Sequence, residues 1–444
     1  MENNLSKEFH FGSLLKFALP SMIMMVFMSL YTMVDGIFVS RFVGTQALSA
    51  VNIVYPIYNV IIAIGIMLAT GGSAVIAKKL GEKKEKEAKE NFSLIILVGA
   101  IIGVLILIIG LLFLKPLLYM LGSNENLFPY CYSYAKVLLF FAPFGILQLL
   151  FQYFFVTAGK PSLGLSVTIV GGLANMILDY VFIVPLEMGI LGAALATGIG
   201  IAIPAIFGLI YFTVNRKGTL TIVKPKYDGK VLLHSCFNGS SEMVSNIAIA
   251  IVTFLYNIIM MHFFGEDGVA AITILLYSQF LLNAIFLGYS MGVAPVFSYN
   301  YGSENKKVIK RIFRYSLWFV TLTSIVSCFL AIILAPYIIA IFAKRGSSVY
   351  QIAMDGSLLF NLNYLFAGIN IFVSSLFTAF SNGKISAILS FLRTFVFIVS
   401  GLISLPMIFG VSGVWFALTV AEALTIVVSI LFLIRYRKKY HYGA

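Results

Sequence analysis

Twelve long apolar stretches follow one another along this chain, and they leave little room for any architecture except a bundle of membrane-crossing helices. The predicted spans are 15–39, 51–76, 91–114, 131–156, 162–184 and 189–213, then 231–263, 269–297, 312–342, 350–380, 385–408 and 413–434. About 20 helical residues cross a bilayer, so the longest spans include turns outside the hydrocarbon or lie tilted. Ten-residue blocks of alternating polarity are absent, which argues against a transmembrane β-barrel. Composition agrees: 60% of the chain is hydrophobic and 11% charged, against about 25% charged in soluble domains. The fold class is an all-α integral membrane protein. Pro20, Pro143 and Pro295 lie within spans and each marks a candidate bend, because proline removes a helix hydrogen bond.

The remaining composition narrows the chemistry. Cys131, Cys236 and Cys328 lie in or beside apolar runs and read as small core residues. They suggest neither a disulfide scaffold nor a metal set. His10, His234, His262 and His441 have no ligand-like spacing, and no cofactor is expected. The first apolar run is too long for the core of a removable signal peptide.

Charge sets the topology. Basic clusters fall between spans 2 and 3 (Lys78 to Lys86), between 6 and 7 (Arg216 to Lys230), between 8 and 9 (Lys306 to Arg314) and at Arg435, Arg437, Lys438 and Lys439. All lie on one side if the helices alternate, and only Arg41, Lys115, Lys344 and Arg345 face the other. The positive-inside rule then makes both ends of the chain cytoplasmic. The net charge of +13 is topological, and no nucleic-acid partner is implied.

The sequence repeats once. Gly44, Ala47, Ala50 and Gly71 return as Gly265, Gly268, Ala271 and Gly292, at a constant offset of 221 residues. Gly81 returns as Gly302, Thr157-Ala158 as Thr378-Ala379, and Pro185, Gly189 and Gly192 as Pro406, Gly410 and Gly413. Each half holds an even number of spans, so the halves are parallel repeats about an axis along the membrane normal. The expected organisation is a six-helix lobe over 1–213, a cytoplasmic linker over 214–230, a second lobe over 231–434 and a basic tail over 435–444. Two such lobes about a shared cleft suggest alternating access. No repeated filter-like loop supports a channel, and no Gly-x-x-x-x-Gly-Lys-Ser/Thr motif supports an ATP-driven pump. An ion gradient is the expected energy source, and the chain is not read as an enzyme.

Two acids stand alone in apolar surroundings. Asp35 follows the run Phe17–Val34, and Asp179 sits within Leu163–Val184. A carboxylate at membrane depth is expensive and reads by default as part of a pathway or binding site. Asn175 and Asp179 share a helix face at i, i+4. Thr197 lies in the next span, which the short 185–189 turn holds antiparallel. Packing of span 1 against these helices adds Asp35. The group offers two carboxylates, an amide oxygen and a hydroxyl, a set suited to Na+ or to a shared proton, which two acids titrate as a coupled pair.

The motif Met33-Val34-Asp35-Gly36-Ile37-Phe38-Val39, followed by Gly44 and Ala47-Leu48-Ser49-Ala50, resembles the first span and following turn of the multidrug and toxic compound extrusion (MATE) family, most closely its MepA-like and DinF-like prokaryotic members. Asn175 with Asp179-Tyr180 is similar to that family's fifth-span acidic motif, and Thr197 sits where some members place another ion-site oxygen. The resemblance implies export of small amphipathic, often cationic, molecules in exchange for H+ or Na+. It further implies a V-shaped cleft between the lobes, residence in a prokaryotic inner or plasma membrane, and no obligate protein partner. Glu242 resembles a membrane glutamate used by some members, although Asn238 replaces the usual proline before Gly239.

Other polar residues complete the reading. Arg393 and Glu422 are also intramembrane. With Glu242 they form a candidate second-lobe polar site, in which Arg393 pairs with either glutamate to neutralise a buried charge. Asp355 is expected near the interface. Candidate cleft residues are Met28, Tyr31, Tyr55, Gln148 and Gln152, with Tyr153, Tyr277, Gln279 and Asn283. Methionine adapts to irregular ligands and aromatic faces attract cations. The alternative function is a lipid-linked saccharide flippase of the same broad superfamily, which would place several basic residues in the central spans. Only Lys136 and Arg393 qualify. A membrane scaffold or receptor would have no use for the Asp35, Asn175 and Asp179 group.

Overall fold

Hydrocarbon offers the backbone no water, so each apolar run satisfies its own hydrogen bonds as a helix. The computed structural model describes residues 4–443, apart from the side chains of Ile37, Ser40, Thr45 and Leu48, and among the described residues there is no strand. The first lobe comprises α1 (Phe11–Phe38), α2 (Thr45–Gly81), α3 (Glu85–Leu112), α4 (Leu114–Met120), α5 (Phe128–Phe140), α6 (Ala142–Thr157), α7 (Pro161–Ile183) and α8 (Gly189–Val214). The second comprises α9 (Gly229–Gly302), α10 (Lys306–Phe342), α11 (Ser348–Asn361), α12 (Tyr364–Ala379), α13 (Gly383–Phe391), α14 (Ile398–Phe409) and α15 (Val411–Tyr440). Among the described residues nine helices, with α13 and α14 counted as one continuous helix over Gly383–Phe409, are long and apolar enough to cross a membrane, and two bent pairs, α5–α6 at 52° and α11–α12 at 53°, bring the total to eleven. Helix α9 is two spans joined at Gly265, whose φ of 64° and ψ of −148° break the helix. The twelve predicted spans are therefore all present. Large apolar side chains such as Trp318, Ile177 and Leu431 lie exposed on the exterior, as a lipid-facing surface requires.

The 221-residue register reappears in the backbone. Left-handed φ angles pair Gly44 (113°) with Gly265 (64°), Lys83 (60°) with Glu304 (55°) and Gly189 (56°) with Gly410 (57°). The bends repeat as well, at Phe141 between α5 and α6 and at Leu362 between α11 and α12. Pro143 follows the first bend, but the second has no proline, so the bend belongs to the repeated architecture rather than to proline. Pro20 and Pro295 lie inside helices that run on through them.

The lobes meet where α1 and α2 pack against both halves of α9. A Cβ at Gly81 would lie 2.9 Å from the carbonyl carbon of Tyr299, and a Cβ at Gly302 would lie 2.9 Å from that of Lys78. These two contacts are images of each other under the repeat. Deeper in, a Cβ at Gly71 would lie 2.8 Å from the Gly239 nitrogen, and one at Gly292 2.8 Å from the Ala18 Cα. Only glycine lets the backbones approach this closely, as in other membrane helix pairs.

The basic segments gather at this same end. Lys78 lies over the Tyr301 ring at 5.3 Å, and Glu8 approaches Arg311 at 3.7 Å. Asn4 donates to the Gly159 carbonyl of the first lobe at 2.9 Å. One residue later, Leu5 is fully buried and joins Phe9 in the second lobe's core with Val293, Phe297 and Ile312. The stretch 215–228 does not hang free: Leu220 is buried, and the Val223 N–H donates to Ser93 at 2.9 Å. Helix α15 continues to Tyr440, so most of the expected tail is helical, with Tyr440 and Tyr442 packed into the second lobe.

Candidate functional site

Glycines decide how the first-lobe helices meet. A Cβ at Gly172 of α7 would lie 2.5 Å from the Phe27 ring of α1, so α1 seats Phe27 and Tyr31 over that gap. A Cβ at Gly171 would lie 2.6 Å from the Gly200 carbonyl oxygen, and one at Gly200 would lie 2.7 Å from the Asn175 Cβ. Helices α7 and α8 therefore run nearly backbone to backbone beside Asn175. This packing carries Asp35, at the end of α1, to Asp179, near the end of α7.

The two carboxyl groups lie within hydrogen-bonding reach of each other. Asp179 is completely buried and Asn175 is 3% exposed. Asp35 Oδ1, both Asp179 oxygens, Asn175 Oδ1 and Nδ2, and Thr197 Oγ1 are all buried without a hydrogen-bond partner. Orphaned buried polar atoms cost about 1–3 kcal/mol each, and more when charged. Two ionised carboxylates can only accept, so this pair is complete only with a proton or a cation between them.

Sequence reasoning missed Tyr134. It stands on α5 beside Thr197, within electrostatic reach of both acids and of Tyr58. The run Tyr130-Cys131-Tyr132-Ser133-Tyr134 reads as the polar start of a span, and nothing in it separates the one inward tyrosine from its neighbours. Tyr31 and Tyr58 also lie within reach of Asp35.

The second-lobe candidates do not form one site. Arg393, carried on a wide π-helical turn (Leu392–Phe397), pairs with Glu422 at 2.6 Å from Nη2 and 2.7 Å from Nε. Asn370 Nδ2 donates to the Glu422 carboxylate at 2.7 Å, and Ser429 donates to Asn370 Oδ1 at 3.0 Å. Of the two expected pairings, only the one with Glu422 is formed. It is a satisfied ion pair that ties α12, the π turn and α15 together. Glu242 stands apart, between the lobes. Asp355 is exposed on α11.

The cleft candidates divide. Tyr55 and Tyr277, each 46% exposed, lie within electrostatic reach across the lobes. Tyr31, Gln279 and Asn283 are half-buried. Gln148 is buried. Gln152 is buried too, and donates at 3.4 Å to both Met28 Sδ and Thr168 Oγ1, which makes it a tie between α1, α6 and α7. Met28 packs beside Met24, Met291 and Tyr153.

The MatE family model matches this chain twice, over residues 20–181 and 243–403. A multidrug export protein MepA from Staphylococcus aureus is 24% identical over 421 residues, covering 93% of this chain and 91% of that protein. Among solved structures, a crystal structure of a MATE protein in complex with MaL6 matches with a TM-score of 0.93 at 22% identity, covering 99% of both chains. An outward-facing multidrug resistance MATE transporter of the MOP superfamily matches with a TM-score of 0.92 at 22% identity, also covering 99% of both.

Proposed function

This chain belongs to the MatE family of membrane transporters, and on that premise we propose that it exports amphipathic, often cationic, compounds in exchange for H+ or Na+ bound at Asp35 and Asp179. The observation that carries this reading is the set of orphaned polar atoms on Asp35, Asn175, Asp179 and Thr197. Five of these six atoms are oxygens, and the carboxylate oxygens among them call for a positive partner. Binding a proton or a sodium ion there would satisfy the carboxylates, and releasing it would leave two facing carboxylates that repel. Occupancy thereby biases the packing of α1 on α7, and with it which side of the cleft is open.

The lobes are proposed at 1–213 and 231–434, joined through 214–230, with both ends of the chain cytoplasmic by the positive-inside rule. Residues 1–3 and 444 of that division lie outside the described residues. The glycine contacts close the basic-loop end, so this topology makes the conformation outward-facing. Tyr55 and Tyr277 then flank the open mouth, where aromatic faces favour cations. The flippase alternative needs a cationic cluster for an anionic headgroup. Arg393 is committed to Glu422 and Lys136 is exposed over Tyr132, so neither supplies one.

Efflux of a fluorescent cation from proteoliposomes, under separately clamped pH and Na+ gradients, tests the proposal. Asp35→Asn and Asp179→Asn are expected to abolish gradient dependence. Full gradient-driven efflux in both variants would overturn the assignment.

A further inference from the structure

At the end of the second lobe opposite the basic loops lies a cavity of about 450 Å³, a size typical of small-molecule sites. One wall is the second half of α9, where Ala270, Thr273, Ile274 and Tyr277 recur at helical spacing. The other is the turn from α10 into α11, from Phe342 to Val349. The lining is mostly apolar, and its polar groups are mainly donors. Lys344 forms no salt bridge among the described residues. Ser347 accepts from the Tyr350 N–H at 3.2 Å, which leaves its own proton to give. Tyr277 brings a second hydroxyl. Thr273 spends its proton on the Val269 carbonyl at 2.7 Å and offers only lone pairs. Among the described residues no carboxylate lines the cavity. Glu266 and Asp267 on α9 and Asp355 on α11 are exposed outside it.

This end of the lobe meets the lipid. Exposed Leu322, Phe329, Ile333, Tyr337 and Ile341 form an apolar stripe along α10 that ends beside Phe342. Arg345 lies over the Tyr337 ring at 5.6 Å, and such pairing of basic and aromatic groups suits the level where lipid headgroups sit. Lys344 and Arg345 share this end with only Arg41 and Lys115, and the connection between α4 and α5 at 121–127, their counterpart in the repeat, has no basic residue. The repeated fold alone therefore does not account for the pair.

We propose that the cavity receives the phosphate of an anionic phospholipid, with the glycerol on its apolar floor and an acyl chain along the α10 stripe. Lys344 supplies the counter-charge, and the Ser347 and Tyr277 hydroxyls donate to the phosphate oxygens. A free organic cation would meet the Lys344 ammonium with no carboxylate in the lining to offset it. The choice of the outer leaflet rests on the orientation proposed above; the site itself does not. Because the lipid touches both α9 and the α10–α11 turn, its binding holds together the wall of the cleft that carries Tyr277.

The test uses full-length protein in phosphatidylcholine nanodiscs doped with a phosphatidylglycerol that carries a diazirine near the headgroup end of one acyl chain. The probe fills both leaflets, so the site is read whichever end faces out. Peptides labelled on irradiation are mapped by mass spectrometry. Labelling across 337–350 should exceed that from the matching diazirine phosphatidylcholine about tenfold, the worth of one hydrogen bond to a charged group. Lys344→Gln should bring it down to the phosphatidylcholine level. Ala270→Leu, which narrows the cavity and keeps the lysine, should also lower it. Both positions are exposed, so the variants should keep their melting temperature. Lys115→Gln, at the same end but outside the cavity, should label like the starting protein. Equal labelling by the two lipids would overturn the proposal, as would full labelling in either cavity variant. Displacement by millimolar glycerol 3-phosphate would assign the site to a soluble phosphate compound and overturn the lipid as its occupant.

Discussion

Replacing Gly81 with alanine puts a methyl group where the Tyr299 carbonyl already sits, 2.9 Å from its carbon and nearer still to its oxygen. Carbon atoms rest at about 3.5–4.0 Å, so α2 and the second half of α9 must part by about 1 Å. Overpacking of this kind costs about 1–3 kcal/mol. The cost falls on the conformation closed at the basic end and not on one in which these helices have separated. The ratio of the two should therefore move about 5- to 150-fold toward opening at that end. Gly302→Ala, against the Lys78 carbonyl, is the image of this change and should have a similar effect. Spin labels at Glu85→Cys and Lys306→Cys, with Cys131, Cys236 and Cys328 replaced by alanine, report the separation by double electron–electron resonance. The closed-distance peak should give way to a longer one in either variant. Gly12→Ala, with nothing within 4 Å of the added carbon, should leave it in place. An unchanged peak in both interface variants, with unchanged melting temperature, would refute the idea that these glycines hold the lobes together.

Three further outcomes are expected. Arg393→Met should lower stability by about 3–5 kcal/mol, because it leaves Glu422 charged, buried and without its counter-ion, whereas the double variant Arg393→Met with Glu422→Met should recover most of that loss; thermal unfolding of the starting protein and the two variants in detergent reads the difference. Gly200→Ala forces a carbon to 2.7 Å from the Asn175 Cβ and should weaken gradient-driven efflux while the protein remains monodisperse; normal coupling there would mean that the α7–α8 spacing does not set the site. Tyr134→Phe removes the hydroxyl beside Thr197 and should shift the pH dependence of efflux while leaving expression unchanged, and an identical profile would assign Tyr134 to packing alone.

The span count and the doubled plan were legible because each leaves a mark that survives without coordinates. Apolar length counts spans. Acids at membrane depth are too costly to be incidental. Glycines at a fixed offset mark places where backbones touch, and Gly81 and Gly302 prove to touch reciprocally. What was not legible depends on the rotation of one helix against another. The sequence permits Arg393 to pair with Glu242 or Glu422, and only the π turn and the register of α15 select Glu422. Tyr134 is one of three tyrosines in five residues, and helix phase alone turns it toward Asp35. Pro143 suggested a local cause for a bend that the proline-free Leu362 reproduces.

The short segment that begins at Asn4 holds one lobe through a carbonyl and the other through Leu5 and Phe9. It is a staple across the seam that would have to split in the proposed alternating-access cycle. Engineering at this end of the polypeptide is accordingly not neutral. A bulky fusion joined just ahead of it would pry at the staple and bias preparations toward one half of the cycle, whereas a tag placed in the 345–347 turn at the opposite face would leave the seam alone.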